Sequence, residues 1–221
     1  MQKFDTPAPI TVVLDIPGGR VRLIAAERTD TTVEVHPAEP GKNRDVQAAE
    51  RTALAFEDGV LRITTAPAGH QLLGPTGSVE VTVKLPAGSA VRGSAAAAEL
   101  RCVGRLGDVA FDGAYRHTKV DEAASLRLTA VDGDIEVGRL TGPARIATAR
   151  GDIRVTEAHR GTVELNTRSG SITVGAAPTA SAALDAGTGH GRIDNALRND
   201  GTTVLDIRAT TSRGDITARS L

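Results

Sequence analysis

The side chains of this 221-residue sequence that could carry out chemistry begin with five histidines. A zinc site requires several ligands at fixed spacing. The histidines share no common position in the repeat described below, so stacking would not bring them together. We interpret all of them as surface or loop residues and expect no metal site from them. They are His36, His70, His117, His159 and His190.

Aspartates that follow glycines are the second candidate. Asp134 and Asp152 would lie one repeat apart, so their carboxylates could share a cation. The next equivalent positions hold Ser171 and Arg192, which break the column. The nine-residue Gly-Gly-x-Gly-x-Asp pattern of calcium-binding repeats is also absent. We therefore expect these aspartates to close turns by accepting a hydrogen bond from the backbone two residues on.

Nucleophilic chemistry has little support in the sequence. Cys102 occupies an inward position of the repeat, which favours a small buried apolar residue over a nucleophile. No Gly-x-Ser-x-Gly segment occurs. Gly187 to Gly191 is rich in glycine, but no helical pattern follows it, so it lacks the helix terminus of a phosphate-binding loop. We interpret this segment as a corner of the chain.

Glycosidase chemistry needs two carboxylates at a set separation. The outward positions that would line such a site hold a mixture of charges, and Tyr115 is the only tyrosine available to stack on a sugar. We predict that the protein is not an enzyme and has no catalytic, cofactor-binding or metal-binding residues. The outward positions are Glu136, Arg154, Thr173, Asp194 and Thr217.

A repeat of roughly 20 residues must position all these side chains. A glycine, one further residue and an apolar residue recur, with glycines 26, 18, 19, 21 and 23 residues apart. Such self-similarity is typical of repeat architectures in which each unit stacks on its neighbours. The glycines are Gly107, Gly133, Gly151, Gly170, Gly191 and Gly214.

Apolar residues alternate with polar or small ones before each glycine, as Leu126 and Leu128 do in one repeat. Ile146 and Leu165 hold the position of Leu128 in the next two repeats. This period of two predicts a strand with one buried face, and a second short strand follows each glycine. Tryptophan is absent and aromatics make up 2% of the chain, which suits a thin aliphatic core. The sequence therefore predicts an all-β fold, a β-solenoid of about six coils over residues 91–221.

Residues 1–90 fit this register poorly. Strands are predicted at 10–16, 21–25, 32–35, 60–64 and 79–85, with a turn at Pro17-Gly18-Gly19 and loops at 36–41 and 66–77. Residues 45–55 could form one or two helical turns, with Asp45 as the N-cap. We interpret this region as an irregular, β-rich N-terminal cap continuous with the solenoid; a separate small sandwich is the alternative.

The charge and the apolar content of the sequence limit the classes of partner that we expect. With 26 basic and 27 acidic residues the net charge is −1, which gives no electrostatic footprint for nucleic acid. No segment approaches the roughly 20 apolar residues of a membrane span. No secretion signal is visible at the start, so a cytoplasmic location is expected, and the sequence leaves an extracellular one open.

The chain resembles the bacterial β-strand-repeat family labelled "putative adhesin", whose function is unknown. The features that carry the resemblance are the strand ending in Lys84-Leu85-Pro86-Ala87-Gly88 and the Gly-Asp-Ile/Val corners at 107, 133, 151 and 214. The resemblance covers most of the chain and implies a β-helix-like structure. It supplies no catalytic residues.

Three functions follow as hypotheses. The first is a rigid structural or protein-interaction module that binds a protein partner or another copy of itself, with strand addition at an uncapped terminal coil near Gly214. The second is an adhesin-like protein that binds surfaces or carbohydrates. The third, which the mixed outward charges disfavour, is a carbohydrate-active enzyme of the β-helix type.

Overall fold

The computed structural model describes residues 1–67 and 77–221, and in these ranges the protein is mostly β-strand, with one short helix. Its contacts divide the chain into two compact units, Met1–Ala114 and Tyr115–Leu221. The predicted boundary after residue 90 stays a prediction. In chain order the elements are β1 Gln2–Asp5, β2 Thr11–Ala26, β3 Asp30–Pro37, α1 Asn43–Glu50, β4 Thr52–Glu57, β5 Val60–Thr65, β6 Val79–Pro86, β7 Ala90–Tyr115, β8 Thr118–Asp132, β9 Ile135–Leu140, β10 Ala144–Arg150, β11 Ile153–Ala158, β12 Gly161–Ser169, β13 Ile172–Ala176, β14 Ala182–His190, β15 Ile193–Ala196, β16 Leu205–Arg213 and β17 Ile216–Ser220.

The first unit is built around β2. The first half of β2 pairs in parallel with β5, its second half pairs in parallel with β6, and β7 pairs in parallel along both halves. Inward residues of β2 such as Val12, Leu14 and Leu23 are fully or almost fully buried. Antiparallel strands close the edges: β3 pairs with β6, β1 with β3, and β4 with β5.

The expected turn at Pro17-Gly18-Gly19 is wrong, because β2 runs through it without interruption. A Cβ on Gly18 would lie 2.6 Å from the Ala97 carbonyl oxygen, and one on Gly19 would lie 2.1 Å from that of Val79. The glycines therefore let two neighbouring strands approach the bend of β2 closely, which turn statistics alone do not reveal.

The helix prediction is partly wrong. α1 ends at Glu50 and β4 follows, with Leu54 opposite Ile63 of β5. The N-cap is Lys42, and Asp45 lies in the first turn, buried. The Asp45 carboxylate instead accepts hydrogen bonds from the backbone N–H groups of Glu39 (3.2 Å) and Ser78 (3.0 Å). It therefore ties the helix to neighbouring segments.

Two further predictions for the first unit are wrong. His36 belongs to strand β3 and is not in a loop. Gly107 lies within the continuous strand β7 and is not a corner; the nearby residue with a positive φ is Gly104, at +81°. The predicted loop at 66–77 and His70 fall largely on residues outside the described ranges.

The second unit confirms the predicted β-solenoid. Two ladders of parallel strands run through it: the first ladder contains β8, β10, β12, β16 and β14, in that order, and the second contains β8, β9, β11, β13, β17 and β15. Ile146 lies opposite Leu128 on one side and Leu165 on the other, and all three are buried. The inward aliphatic residues thus form the predicted column.

The order of the coils differs from the expectation that each coil stacks on the next in sequence. The coil formed by β16 and β17 is the last in sequence but not in space. It lies between the coil formed by β12 and β13 and the coil formed by β14 and β15. Its inward residues Leu205, Ile207 and Ile216 are almost completely buried, whereas Leu184 and Ile193 in the outermost coil are not. Placing the coil with the bulkier aliphatic residues inside removes more apolar surface from water.

The corner glycines stack on one another along the second unit. A Cβ on Gly151 would lie 2.2 Å from the carbonyl oxygen of Gly133, and one on Gly170 would lie 2.0 Å from that of Gly151. In the same way, a Cβ on Gly214 would lie 2.0 Å from the carbonyl oxygen of Gly170, and one on Gly191 would lie 2.0 Å from that of Gly214. All five have positive φ, which confirms the predicted glycine corners.

The residue after each corner glycine bonds across coils and does not close its own turn as expected. Asp134 Oδ1 accepts a hydrogen bond from the backbone N–H of Asp152 (2.8 Å), and Asp152 Oδ1 accepts one from Ser171 (2.7 Å). Asp215 Oδ1 accepts one from Arg192 (2.8 Å). These side chains therefore satisfy backbone donors at the corner of the adjacent coil, where the ladder geometry is interrupted.

Gly151→Ala should destabilise the protein by at least about 1–3 kcal/mol, the cost of holding a side chain in a strained backbone region, with the clash against Gly133 added. Gly187→Ala is the control, since no atom of the other described residues, its two chain neighbours aside, lies within 4 Å of its Cβ position. We expect the control to change the free energy of unfolding by less than about 0.5 kcal/mol in urea titrations. Equal effects of the two changes would contradict corner stacking.

Asp152→Ala should cost roughly 0.5–1.5 kcal/mol, because it removes the acceptor for the Ser171 amide. Asp152→Asn keeps a side-chain oxygen and should retain most of the stability. Urea unfolding gives the energies, and amide hydrogen exchange at Ser171 should accelerate in the alanine variant alone. Unchanged exchange in Asp152→Ala would show that the cross-coil bond is unimportant.

Candidate interaction surface

The histidines predicted to be surface or loop residues do not converge. The Nε2 atom of His159 lies 3.2 Å from Glu157, that of His117 lies 3.9 Å from Glu136, and His190 is exposed. Within residues 1–67 and 77–221, no three His, Cys, Asp or Glu side chains group closely enough to hold a metal ion.

The other candidates also lie apart. Cys102 is buried, as predicted. Tyr115 is 38% exposed, and the Arg116 guanidinium carbon lies 5.9 Å from its ring centre. The observed coil order changes the order of residues along the outward column beside the corner glycines. In the observed order, no two carboxylates lie on adjacent strands. Its residues are Lys119, Glu136, Arg154, Thr173, Thr217 and Asp194.

The first unit contains a cavity of about 540 Å³. Asp15 and Arg51 are its charged lining residues, and the buried Nε atom of Arg51 has no hydrogen-bond partner among residues 1–67 and 77–221. Most of the remaining lining is alanine and proline. One acid and one base that form no ion pair with each other among the described residues do not define a chemistry for this cavity.

The outermost coil of the second unit is the more informative surface. We call β14 and β15 the open coil end. Along the described chain, β14 pairs with β16 and β15 pairs with β17, and neither has a partner strand on its other side. Ile193 is 47% exposed, whereas Ile216, its neighbour in register, is 1% exposed. The aliphatic column therefore ends at a surface open to water.

The hydrogen bonds at the start of β14 show which backbone groups are free. The carbonyl of Ser181 accepts a hydrogen bond from Leu205 of β16, and the N–H of Ala182 points the other way, to the carbonyl of Arg198. The register with β16 is continuous from Ala182 to Thr188, and over such a stretch alternate residues of a parallel strand turn both backbone groups to the same side. Asp185 and Gly187 therefore bond to β16. The free edge presents the N–H and C=O groups of Leu184, Ala186 and Thr188. The alternation ends after Thr188, because the His190 carbonyl accepts a hydrogen bond from the Gly214 N–H.

The loop at 197–204 is bonded to the first residue of this edge, since the Arg198 carbonyl accepts the Ala182 N–H. Asp200 accepts a hydrogen bond from the Thr202 N–H (2.9 Å), and its own N–H donates to Ser181 Oγ (3.0 Å). The bonds from Thr202 and Ser181 lower the pKa of the Asp200 carboxyl below its usual value. The carboxylate therefore keeps its charge to lower pH than an ordinary aspartate, and its contribution to loop order is lost as the pH falls through the lowered pKa.

The edge strand β1 of the first unit carries protective features that β14 lacks. β1 has four residues and includes Lys3, which forms an ion pair with Asp30 (3.1 Å). Short strands and lysine residues discourage edge-to-edge pairing. β14 has nine residues with no lysine or proline, and its outward residues after Asp185 are Gly187 and Gly189. It is therefore a flat, unprotected edge.

Sequence reasoning placed the terminal coil near Gly214, and this was wrong because β17 lies between β13 and β15. Two signals pointed to β14. Gly187 and Gly189 occupy outward positions where other coils carry larger residues, and the segment 197–204 is long enough to return the chain past one coil. Neither signal was sufficient without coordinates.

A protein-family model described as Toastrack DUF4097 matches residues 11–219. The chain belongs to the Toastrack DUF4097 family. This confirms the resemblance seen in the sequence, and the Toastrack match includes strands of both compact units. Among curated proteins, none matches this sequence at a significant level.

Solved structures similar to this Toastrack chain include a "putative adhesin" from Bacteroides fragilis NCTC 9343, with 14% identity, 98% of this chain and 95% of that chain covered, and a TM-score of 0.48. A "putative cell adhesion protein" from Clostridium sporogenes ATCC 15579 has 10% identity, with 100% and 98% covered and a TM-score of 0.44. Similarity at this level assigns no activity. Over the described residues, no helix is long and apolar enough to cross a membrane.

Residue-resolved hydrogen exchange in dilute protein tests the assignment of free backbone groups. We expect the amides of Leu184, Ala186 and Thr188 to exchange much faster than those of Asp185 and Gly187, because only the latter bond to β16. Uniform protection from 184 to 188 in the dilute protein would contradict an open edge.

Proposed function

We propose that this Toastrack chain is a non-enzymatic protein-interaction module and that its docking surface is the open coil end. The observation that carries the proposal is the row of free N–H and C=O groups on Leu184, Ala186 and Thr188, next to the exposed end of the aliphatic column. An extended segment can add to such an edge through main-chain hydrogen bonds, while apolar contacts set its register.

The outward carboxylates support the non-enzymatic part of the proposal. Glu164 accepts a bond from Arg145 (2.6 Å), and Glu157 pairs with Arg139 (3.0 Å). Acid–base hydrolysis requires two carboxylates placed across a substrate bond. Carboxylates engaged by arginine on neighbouring strands are suited to stabilising the ladder surface and not to that role.

Adhesin-like binding of surfaces or carbohydrates is the second candidate, and it stays a prediction from the resemblance. The absence of nucleic acid among the partners and the cytoplasmic location are predictions of the same kind. Cell fractionation separates the two functions. Protein found only in the cytosol would remove adhesion, and protein on the cell surface would favour it.

Site-specific photo-crosslinking in the protein's own cells tests the docking surface. A benzophenone amino acid at Gly187 should form adducts with a second polypeptide chain, because Gly187 lies beside the free edge. The matched control is Asn166, which is exposed in the same outward column two coils further in. Adducts at both positions equally, or at neither, would overturn the proposed docking surface.

A further inference from the structure

We infer that the occupant of the open coil end is a second copy of this chain, joined by antiparallel pairing of β14 with β14 about a twofold axis at Ala186. The inference rests on the proposed docking surface and adds the identity and register of the partner. It is argued from four features of the edge: its free backbone groups, its outward side chains, its inward column and its charges.

The free backbone groups fix the centre of the pairing. Leu184, Ala186 and Thr188 present their N–H and C=O groups, and Ala186 is the middle of the three. A twofold axis at Ala186 pairs this residue with its own copy and pairs Leu184 with Thr188 of the second copy. Each such pair exchanges two N–H···O bonds. Every free donor and acceptor of this segment is then satisfied.

The two neighbouring registers each lose hydrogen bonds. If the twofold axis moved by one residue towards the start of β14, the pairing would need the Ala182 N–H, which already donates to Arg198 (3.0 Å). A shift towards the end would need His190, whose carbonyl already accepts from the Gly214 N–H (2.9 Å). The first shift would also place Asp185 directly opposite its own copy, and like charges in that position are destabilising.

The outward side chains fit the register centred on Ala186. Asp185 then faces Gly187 of the second copy, and no atom lies within 4 Å of the Gly187 Cβ position, so the carboxylate has room. The two Asp185 side chains lie diagonally, roughly 7–8 Å apart. Arg208 is the neighbour of Asp185 in register within each copy and offsets part of the repulsion.

The inward residues of the two copies are small or aliphatic and can lie side by side. Ala186 contacts its own copy, and Leu184 lies beside Thr188 of the second copy, so the aliphatic column continues across the twofold axis. An isologous contact brings two surfaces with the same cross-section together. The contact would also shield Ile193, whose side chain is otherwise left at the open end of the column.

The charges at the two ends of β14 do not oppose antiparallel pairing. At its end, Arg192 lies 3.6 Å from Asp215. At its start, Asp200 lies near Arg198, whose carbonyl accepts the Ala182 N–H. Each end therefore carries charges of both signs, and bringing the two ends together places no single-sign patch against another.

Cysteine crosslinking tests the register in the full chain. Opposed residues of a hydrogen-bonded antiparallel pair have Cα atoms about 5.5 Å apart, which lies inside the range for a disulfide. Oxidised Ala186→Cys should therefore run as a covalent dimer. Gly187→Cys should not, because its Cα atoms would lie more than about 7 Å apart. Cys102 is buried and leaves the background low. Crosslinking of the Gly187 variant alone would overturn the register.

Sedimentation equilibrium over a concentration series tests the association itself. The unmodified chain should form dimers as its concentration rises. Ala186→Pro should raise the dissociation constant at least about tenfold, because proline removes a donor from the free edge. It should leave the fold intact, because this N–H makes no bond to β16. Ala186→Thr keeps the donor and should still dimerise. Circular dichroism and thermal unfolding verify that each variant is folded.

The outcomes separate this inference from the proposed function. A chain that is monomeric at all concentrations, or a dimer insensitive to Ala186→Pro, would overturn self-pairing. If the Gly187 photo-crosslinker then captures only a different polypeptide, the docking surface stands with another partner. If it captures nothing, the docking surface is wrong as well.

Discussion

Close backbone contact at the corners is the constraint on which the second unit depends. Each corner glycine lies against the carbonyl of the next, and a single methyl group would prevent the approach. Because the corners superpose, the strands on both sides stay in register. Ile146 can then lie between Leu128 and Leu165, and the corner carboxylates reach the amides of the adjacent coil. Backbone geometry comes first, and side-chain packing follows from it.

The order of the coils follows from competition for the interior. Two coils of similar pattern can occupy the inner position, and the one with Leu205 and Ile207 takes it over the one with Ala182 and Leu184. The exposed edge is therefore the one of these two strands that has less apolar surface to lose. This choice is favourable for folding, and it also leaves a flat strand of small residues with unsatisfied backbone groups. Stability and availability for binding thus have the same origin.

The two units treat their edges differently, which distinguishes the open coil end from an ordinary sheet edge. In the first unit, antiparallel strands end the parallel ladders, and β1 is short and carries an ion pair. The rings of Phe4 and Phe56, on the edge strands β1 and β4, lie 5.3 Å apart. In the second unit, the ladder stops at a parallel strand whose inward residues face water. A chain that protects one set of edges and leaves the other bare has a surface suited to a partner.

Local pattern by itself determined the strands, the inward residues and the glycine corners of the second unit, because alternation and positive φ depend on neighbours in sequence. It did not determine that β2 runs through Pro17, that Asp45 ties α1 to other segments, or that Asp134 bonds across coils. Only the tertiary structure decided these features and the position of the coil containing Ile207. The reason is that near-equivalent repeats are interchangeable locally, and the energy that selects among their arrangements arises only when the coils pack together.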